Sequence, residues 1–141
     1  MTTISAFYLQ EEGNEGNILT TLAEVRDFIT RVQKDSVEWE CELFTQWYIK
    51  DARDTPEFCV GINGDKGVVT FSGRGWTGGI WVSIGNTSRR GEPNVEYDYM
   101  GNLTEVPADG EIPIDAVVRA AEEFFASNGD RPTTIKWRKC V

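Results

Sequence analysis

Whatever chemistry this chain performs, it performs without histidine, because its 141 residues contain none. That removes Ser-His-Asp and Cys-His catalysis, most catalytic zinc sites and histidine-based pH switching. Carboxylates and three cysteines remain. Cys41, Cys59 and Cys140 are odd in number, far apart and form no Cys-x-x-Cys pair. They fit neither a disulfide framework nor a zinc knuckle and read as packed thiols in a reducing compartment. Glu96 and Asp98 have the types for paired acid and base work, but residues two apart share a face of any strand that is polar on its outer side. The solvated face is the simpler reading. No catalytic residue, metal ligand or cofactor is assigned.

The stretch "GRGWTGGIWVSIG", Gly73 to Gly85, packs five glycines and two tryptophans into thirteen residues. Its glycines invite comparison with a phosphate cradle. A phosphate loop needs a helix after it, and usually a lysine, whereas here the chain runs on into "IWVSIG", which reads as a strand. The glycines are better explained by a bent, hairpin-like turn between two strands that carries Trp76 at its tip.

Charge is distributed more informatively than any motif. From Lys66 to Gly91 there is no Asp or Glu, only Lys66, Arg74, Arg89 and Arg90; from Glu92 to Glu111 there are six carboxylates and no base. That segregation along the chain predicts segregation across the surface. A strand displaying Glu96 and Asp98 beside Tyr97 or Tyr99 would attract a positively charged protein face, with aromatic anchors at the contact. The formal charge of −9 argues against nucleic acid as a direct partner, since phosphate neutralisation needs surplus Lys and Arg.

The elements that must position these residues follow from periodicity. "TISAFYL" is rich in β-branched and aromatic residues and predicts a first strand; "EEGNEGN" after it reads as a loop. Thr21 and Glu24 have capping-box spacing, and Leu22, Val25, Phe28, Ile29 and Val32 fall on one helical face. Alternation of Trp39, Cys41 and Leu43 with Glu38, Glu40 and Glu42 predicts a strand, as does that of Phe58, Val60 and Ile62. "NGDKG" is a hairpin turn into "VVTFSG". Val95, Tyr97 and Tyr99 alternate with Glu96 and Asp98 before "MGN" turns the chain into "LTEV". Pro113 opens a second helix with Val117, Ala120, Ala121, Phe124 and Phe125 on one stripe and Gly129 at its end. "TTIKWRK" closes as a strand. The order predicts a single α+β domain, residues 1–141: a mostly antiparallel sheet of about six to seven strands with two amphipathic helices packed on it. No stretch is long and apolar enough for a membrane span and the start lacks the pattern of a secretion signal, so a cytoplasmic location is expected.

The last third adds a resemblance. Val106-Pro107, Ile112-Pro113, Ala116, Ala120, Glu123-Phe124-Phe125, Gly129, Arg131-Pro132, Ile135 and Trp137 reproduce the ending of the first-numbered family of immunity proteins from bacterial polymorphic toxin systems. The central strands, Phe58 to Gly85, echo it loosely. The resemblance implies a non-enzymatic toxin inhibitor whose partner, commonly a nucleic-acid deaminase, has a basic active-site cleft that the inhibitor blocks in a one-to-one complex. Matching positions are helix-face, cap and strand residues, so they carry over no contact residue. The expected contacts are therefore those of the residue reading: Trp76 and Trp81 from the glycine-rich stretch, lying beside Glu92, Glu96, Tyr97 and Asp98 from the acidic strand. Two other classes stay open. One is a small-molecule or glycan-binding module with Trp76, Trp81, Tyr97 and Tyr99 as a stacking platform. The other is an enzyme whose two carboxylates converge in a pocket.

Overall fold

The computed structural model describes residues 2–74 and 78–140. Ten strands and two helices are described: β1 (Ile4–Phe7), β2 (Asn17–Leu19), α1 (Leu22–Glu38), β3 (Leu43–Ile49), β4 (Glu57–Asn63), β5 (Lys66–Ser72), β6 (Ile80–Ser83), β7 (Val95–Tyr99), β8 (Asn102–Val106), β9 (Ile112–Pro113), α2 (Ile114–Ala126) and β10 (Trp137–Lys139). The class is α+β, as expected. The strand count is higher than expected because β2 and β9 are too short to show a periodicity of their own. The strands run β10-β6-β5-β4-β3-β1-β2, with β9 bonded to β5 and the β7–β8 hairpin bonded to β3. All pairings are antiparallel except β3 with β7, which meet at Leu43 and Asp98.

Helix α1 starts where the capping signal places it. The Thr21 hydroxyl accepts from the Glu24 N–H at 3.1 Å, while the Glu24 carboxylate reaches one residue further back than a capping box requires, to the Thr20 N–H at 2.8 Å. Its end corrects the sequence reading. The helix runs through Glu38, Trp39 caps it in helical conformation with its N–H on the Asp35 carbonyl at 2.8 Å, and Glu40 turns the chain at φ 49°. Of Trp39, Cys41 and Leu43 only Leu43 lies in a strand. The buried face continues from Val32 to Ser36 at helical spacing, and the good helix formers Gln33, Lys34 and Glu38 carry the last turns past a chance alternation.

Helix α2 ends in a Schellman motif. Gly129 N–H bonds the Phe124 carbonyl and Asn128 N–H bonds that of Phe125, so Asn128 (φ 58°) occupies the first left-handed position and Gly129 (φ 105°) the next. The closing strand is shorter than expected. Glu123 holds both Thr133 N–H and its hydroxyl, and the Trp137 indole donates to the Pro132 carbonyl at 2.7 Å, which keeps the segment before Trp137 in a loop.

The sheet is covered on both faces. On one, α1 and α2 pack over a line of rings in which Tyr8 meets Phe28, Phe28 meets Trp47 and Trp47 meets Phe58 edge-on at 5.6 Å, and Phe58 stacks on Phe124 at 4.2 Å. On the other, the β7–β8 hairpin folds over Phe44, Cys59, Val68 and Val82, with Tyr97 and Val106 pointing in. Gly61 of β4 makes that closure possible, since a Cβ there would sit 2.8 Å from the Tyr97 ring. The cover is thus a third layer on the helix-and-sheet pair.

Candidate functional site

Two buried carboxylates sit in the loop that joins the hairpin to α2. Asp109 receives both guanidinium nitrogens of Arg138, at 2.9 and 2.8 Å, with Arg90 at 3.8 Å. Glu111 receives the Tyr97 hydroxyl at 2.6 Å, Arg89 at 2.8 Å and Asn63 at 3.3 Å, with Lys66 at 3.9 Å. The hydrogen bonds from Arg138, aided by the charges of Arg138 and Arg90, hold Asp109 below the ordinary carboxylate range against the cost of burial. Burial pushes Glu111 up, but its donors and the Lys66 charge reverse that and leave it low as well. Burial and the adjoining Glu111 carboxylate push the Tyr97 phenol up, so Tyr97 donates at any moderate pH. These contacts correct the expectation of surface charge segregation. Lys66, Arg89 and Arg90 of the basic stretch are paired with Glu92, Asp109 and Glu111 of the acidic one, so opposite blocks of sequence neutralise each other within the fold.

The carboxylates left are on the hairpin. Glu96 and Glu105 face each other across the β7–β8 ladder, and both are exposed. Asp98 is half-buried opposite Leu103, which is 66% exposed. Among the described residues no ion pair is seen at Glu96, Asp98 or Glu105. Glu92 is exposed and held by Arg89 at 3.2 Å. Tyr97 is fully enclosed and presents no surface to a partner. Trp76 lies outside the described residues.

Trp81 stands apart from the acidic strand. Its neighbour Val82 joins the cluster under the hairpin, whereas Trp81 packs against the helix-side core. Trp81 and the inward side of the acidic hairpin therefore lie on opposite faces of the sheet. The Arg131 guanidinium covers the Trp81 ring at 4.0 Å from its centre, and the indole N–H is held by the Gly78 carbonyl at 3.0 Å. An aromatic platform of Trp81, Tyr97 and Tyr99 is not assembled, for the same reason. Glu57 and Glu105 both border a shallow cleft with Cys59, Ile80 and Cys140. Burial and the Glu57 carboxylate push the Cys59 thiol up, which makes it a poor nucleophile.

One surface was not foreseen from the sequence. Because α1 runs on to Glu38, Trp39 is not buried in a strand but stands 49% exposed at the helix end. It borders a groove of about 470 Å³ between the Gln10–Glu12 turn, the α1–β3 corner and the hairpin turn, lined by Tyr8, Leu9, Glu11, Cys41, Asp98 and Met100 among others. Gln10 bridges two of its walls, donating to the Met100 carbonyl at 2.7 Å. Burial, with the Asp98 and Glu42 charges, raises the Cys41 thiol and keeps it protonated. The signal available in sequence was helical spacing continuing past Lys34, which the local alternation of Glu and apolar residues masked.

Among the described residues no group of three His, Cys, Asp or Glu side chains is placed to hold a metal ion, and no helix is long and apolar enough to cross a membrane. A search of curated proteins found no match. The family model described as Immunity protein Imm1 matches residues 13–139, nearly the whole chain and both layers of cover on the sheet. On this match, which covers nearly all of the sheet and both helices, the chain belongs to the Imm1 family of immunity proteins.

Proposed function

We propose that this protein neutralises a cognate bacterial toxin domain by binding it one-to-one and covering a basic active-site cleft, the toxin being a nucleic-acid deaminase. The observation that carries the reading is the hairpin: once internal ion pairs are accounted for, Glu96, Asp98 and Glu105 point outward together beside the exposed Leu103. Such a face is costly to keep unless something basic meets it, because like charges across a ladder repel. An enzyme that acts on a base in a nucleic acid needs a basic approach to its phosphates. An anionic surface competes with the substrate for that approach, and apolar contact at Leu103 then slows release.

Family membership supports the toxin-inhibitor role; the deaminase and the blocked cleft are the finer part of the proposal. The test is co-expression with the C-terminal domain of the protein encoded immediately upstream. Rescue of growth is expected, together with loss of deamination of single-stranded DNA or RNA that ends at one equivalent of added inhibitor. Cells that still die would overturn the immunity reading. Rescue without deaminase activity in the toxin alone would change the toxin class and leave the immunity reading standing.

A further inference from the structure

We propose that the Trp39 groove receives an arginine side chain from the toxin domain, stacked on the indole and paired with Asp98. This rests on the immunity reading above and names the contact within it.

Three observations converge on that occupant. First, Trp39 is the exposed member of the described tryptophans: Trp47 is fully buried, Trp81 is covered by Arg131, and Trp137 is tied to Pro132. A half-exposed indole held at a helix end is a strong anchor where a partner covers it. Second, the charged residues that line the groove, Glu11 and Asp98, are both acidic. Third, the fold covers the partly exposed Trp81 ring with arginine: the Arg131 guanidinium lies 4.0 Å from its centre. No Lys or Arg is among the residues lining the Trp39 groove, so the ring and the carboxylate are left for a cation from outside.

Arginine fits better than lysine. A planar guanidinium stacks on an indole and pairs edgewise with a carboxylate at the same time, and it sheds water more readily than an ammonium. The groove has rigid walls. Asp98 is fixed by its own N–H on the Glu42 carbonyl at 2.7 Å, and Gln10 ties the facing turn to Met100. Little ordering is therefore needed on this side when the partner arrives.

The experiment is titration calorimetry and surface kinetics of purified wild type, Trp39→Ala, Asp98→Asn and Trp81→Ala against the toxin domain encoded upstream. Trp39→Ala is expected to weaken binding at least about 30-fold, and Asp98→Asn about 10-fold, mainly through faster dissociation. Trp81→Ala, outside the groove and under Arg131, is expected to change affinity by less than about threefold. Asp98→Asn preserves shape and backbone pairing, so it reports even if Trp39→Ala folds poorly. One toxin Arg→Ala substitution should be non-additive with Trp39→Ala in a double-mutant cycle. If wild type binds tightly and both groove variants bind equally well, the groove is overturned and the immunity reading survives. If wild type itself does not bind, both fall.

Discussion

At the scale of single residues, Glu111 is the most consequential side chain in the molecule. Its carboxylate is 2% exposed and accepts from Tyr97, Arg89 and Asn63. Removing its charge strands the cations gathered around it, a loss that typically exceeds the worth of the pair itself. Glu111→Gln is expected to lower unfolding free energy by about 3 kcal/mol at pH 7 and the Tm by roughly 10 °C. Tyr97→Phe removes one donor from a buried acceptor and is expected to lower it by about 1–2 kcal/mol. The sign of the pH effect follows from the direction of the shifts. Asp109 and Glu111 are both held low in the folded protein, so the stability they add is complete above the unfolded carboxylate value of about 4 and is lost as pH falls through the lower folded values. Urea denaturation between pH 7 and pH 3 should show wild type losing stability and converging on Glu111→Gln at the acid end. A constant gap between the two proteins across that range would mean the network adds nothing through ionisation. Tyr97 looked in sequence like a surface ring on an acidic strand. What hid its role is that its partner lies fourteen residues further on, and no local pattern encodes that meeting.

Among the elements, the hairpin β7–β8 is the part whose position least follows from its own sequence. Its strands, turn and register are legible locally: alternation in Val95–Tyr99, and Met100-Gly101 with positive φ at both residues, a combination suited to a two-residue hairpin. Its placement over the second face depends on β4 having a hole for the Tyr97 ring. Gly61 supplies the hole between Phe58 and Ile62, on the face those two residues leave behind. Gly61→Ala would bring a methyl within 2.7 Å of Val68 and 2.8 Å of the Tyr97 ring, and overpacking of this kind costs about 2–3 kcal/mol. Hydrogen exchange is the discriminating measurement. Amides of β7 and β8 should lose protection well before those of α2, whereas uniform loss would show that the hairpin is not separately displaced. The helices and the β4–β5 hairpin were readable because their signals repeat within a few residues: the stripe from Val117 to Phe124, and Asn63 facing Lys66 across Gly64-Asp65. From Glu38 to Leu43 two periods overlap, the end of a helical face and a run of alternating acids, so the local pattern predicts a strand where the helix runs on to Glu38. The same overlap hides the exposure of Trp39.

For the molecule as a whole, the decisive quantity is how the net charge of −9 is laid out once the chain has folded. The sequence places a basic block before an acidic one, and folding uses the first to neutralise much of the second around Asp109 and Glu111. On the hairpin, Glu96, Asp98 and Glu105 stay outside those pairs, and Asp98 also borders the Trp39 groove. A field of that shape acts on a basic partner before contact, raising the encounter rate in a way that salt screens over a Debye length of roughly 10 Å at 0.1 M. Glu96→Lys combined with Asp98→Lys reverses the field on β7 while leaving its inward face, Val95, Tyr97 and Tyr99, in place. Association with the toxin domain is expected to slow by at least about tenfold at low salt. The wild-type rate should fall steeply between 0.05 and about 0.5 M salt, and that of the double variant should stay flat or rise slightly. Dissociation should change less, unless Asp98 also holds the arginine inferred for the groove, in which case the two effects appear together and Glu96→Lys alone isolates the steering component. An association rate that ignores both the substitutions and the salt would place the toxin on another face, with the Trp81 side of the sheet as the first alternative.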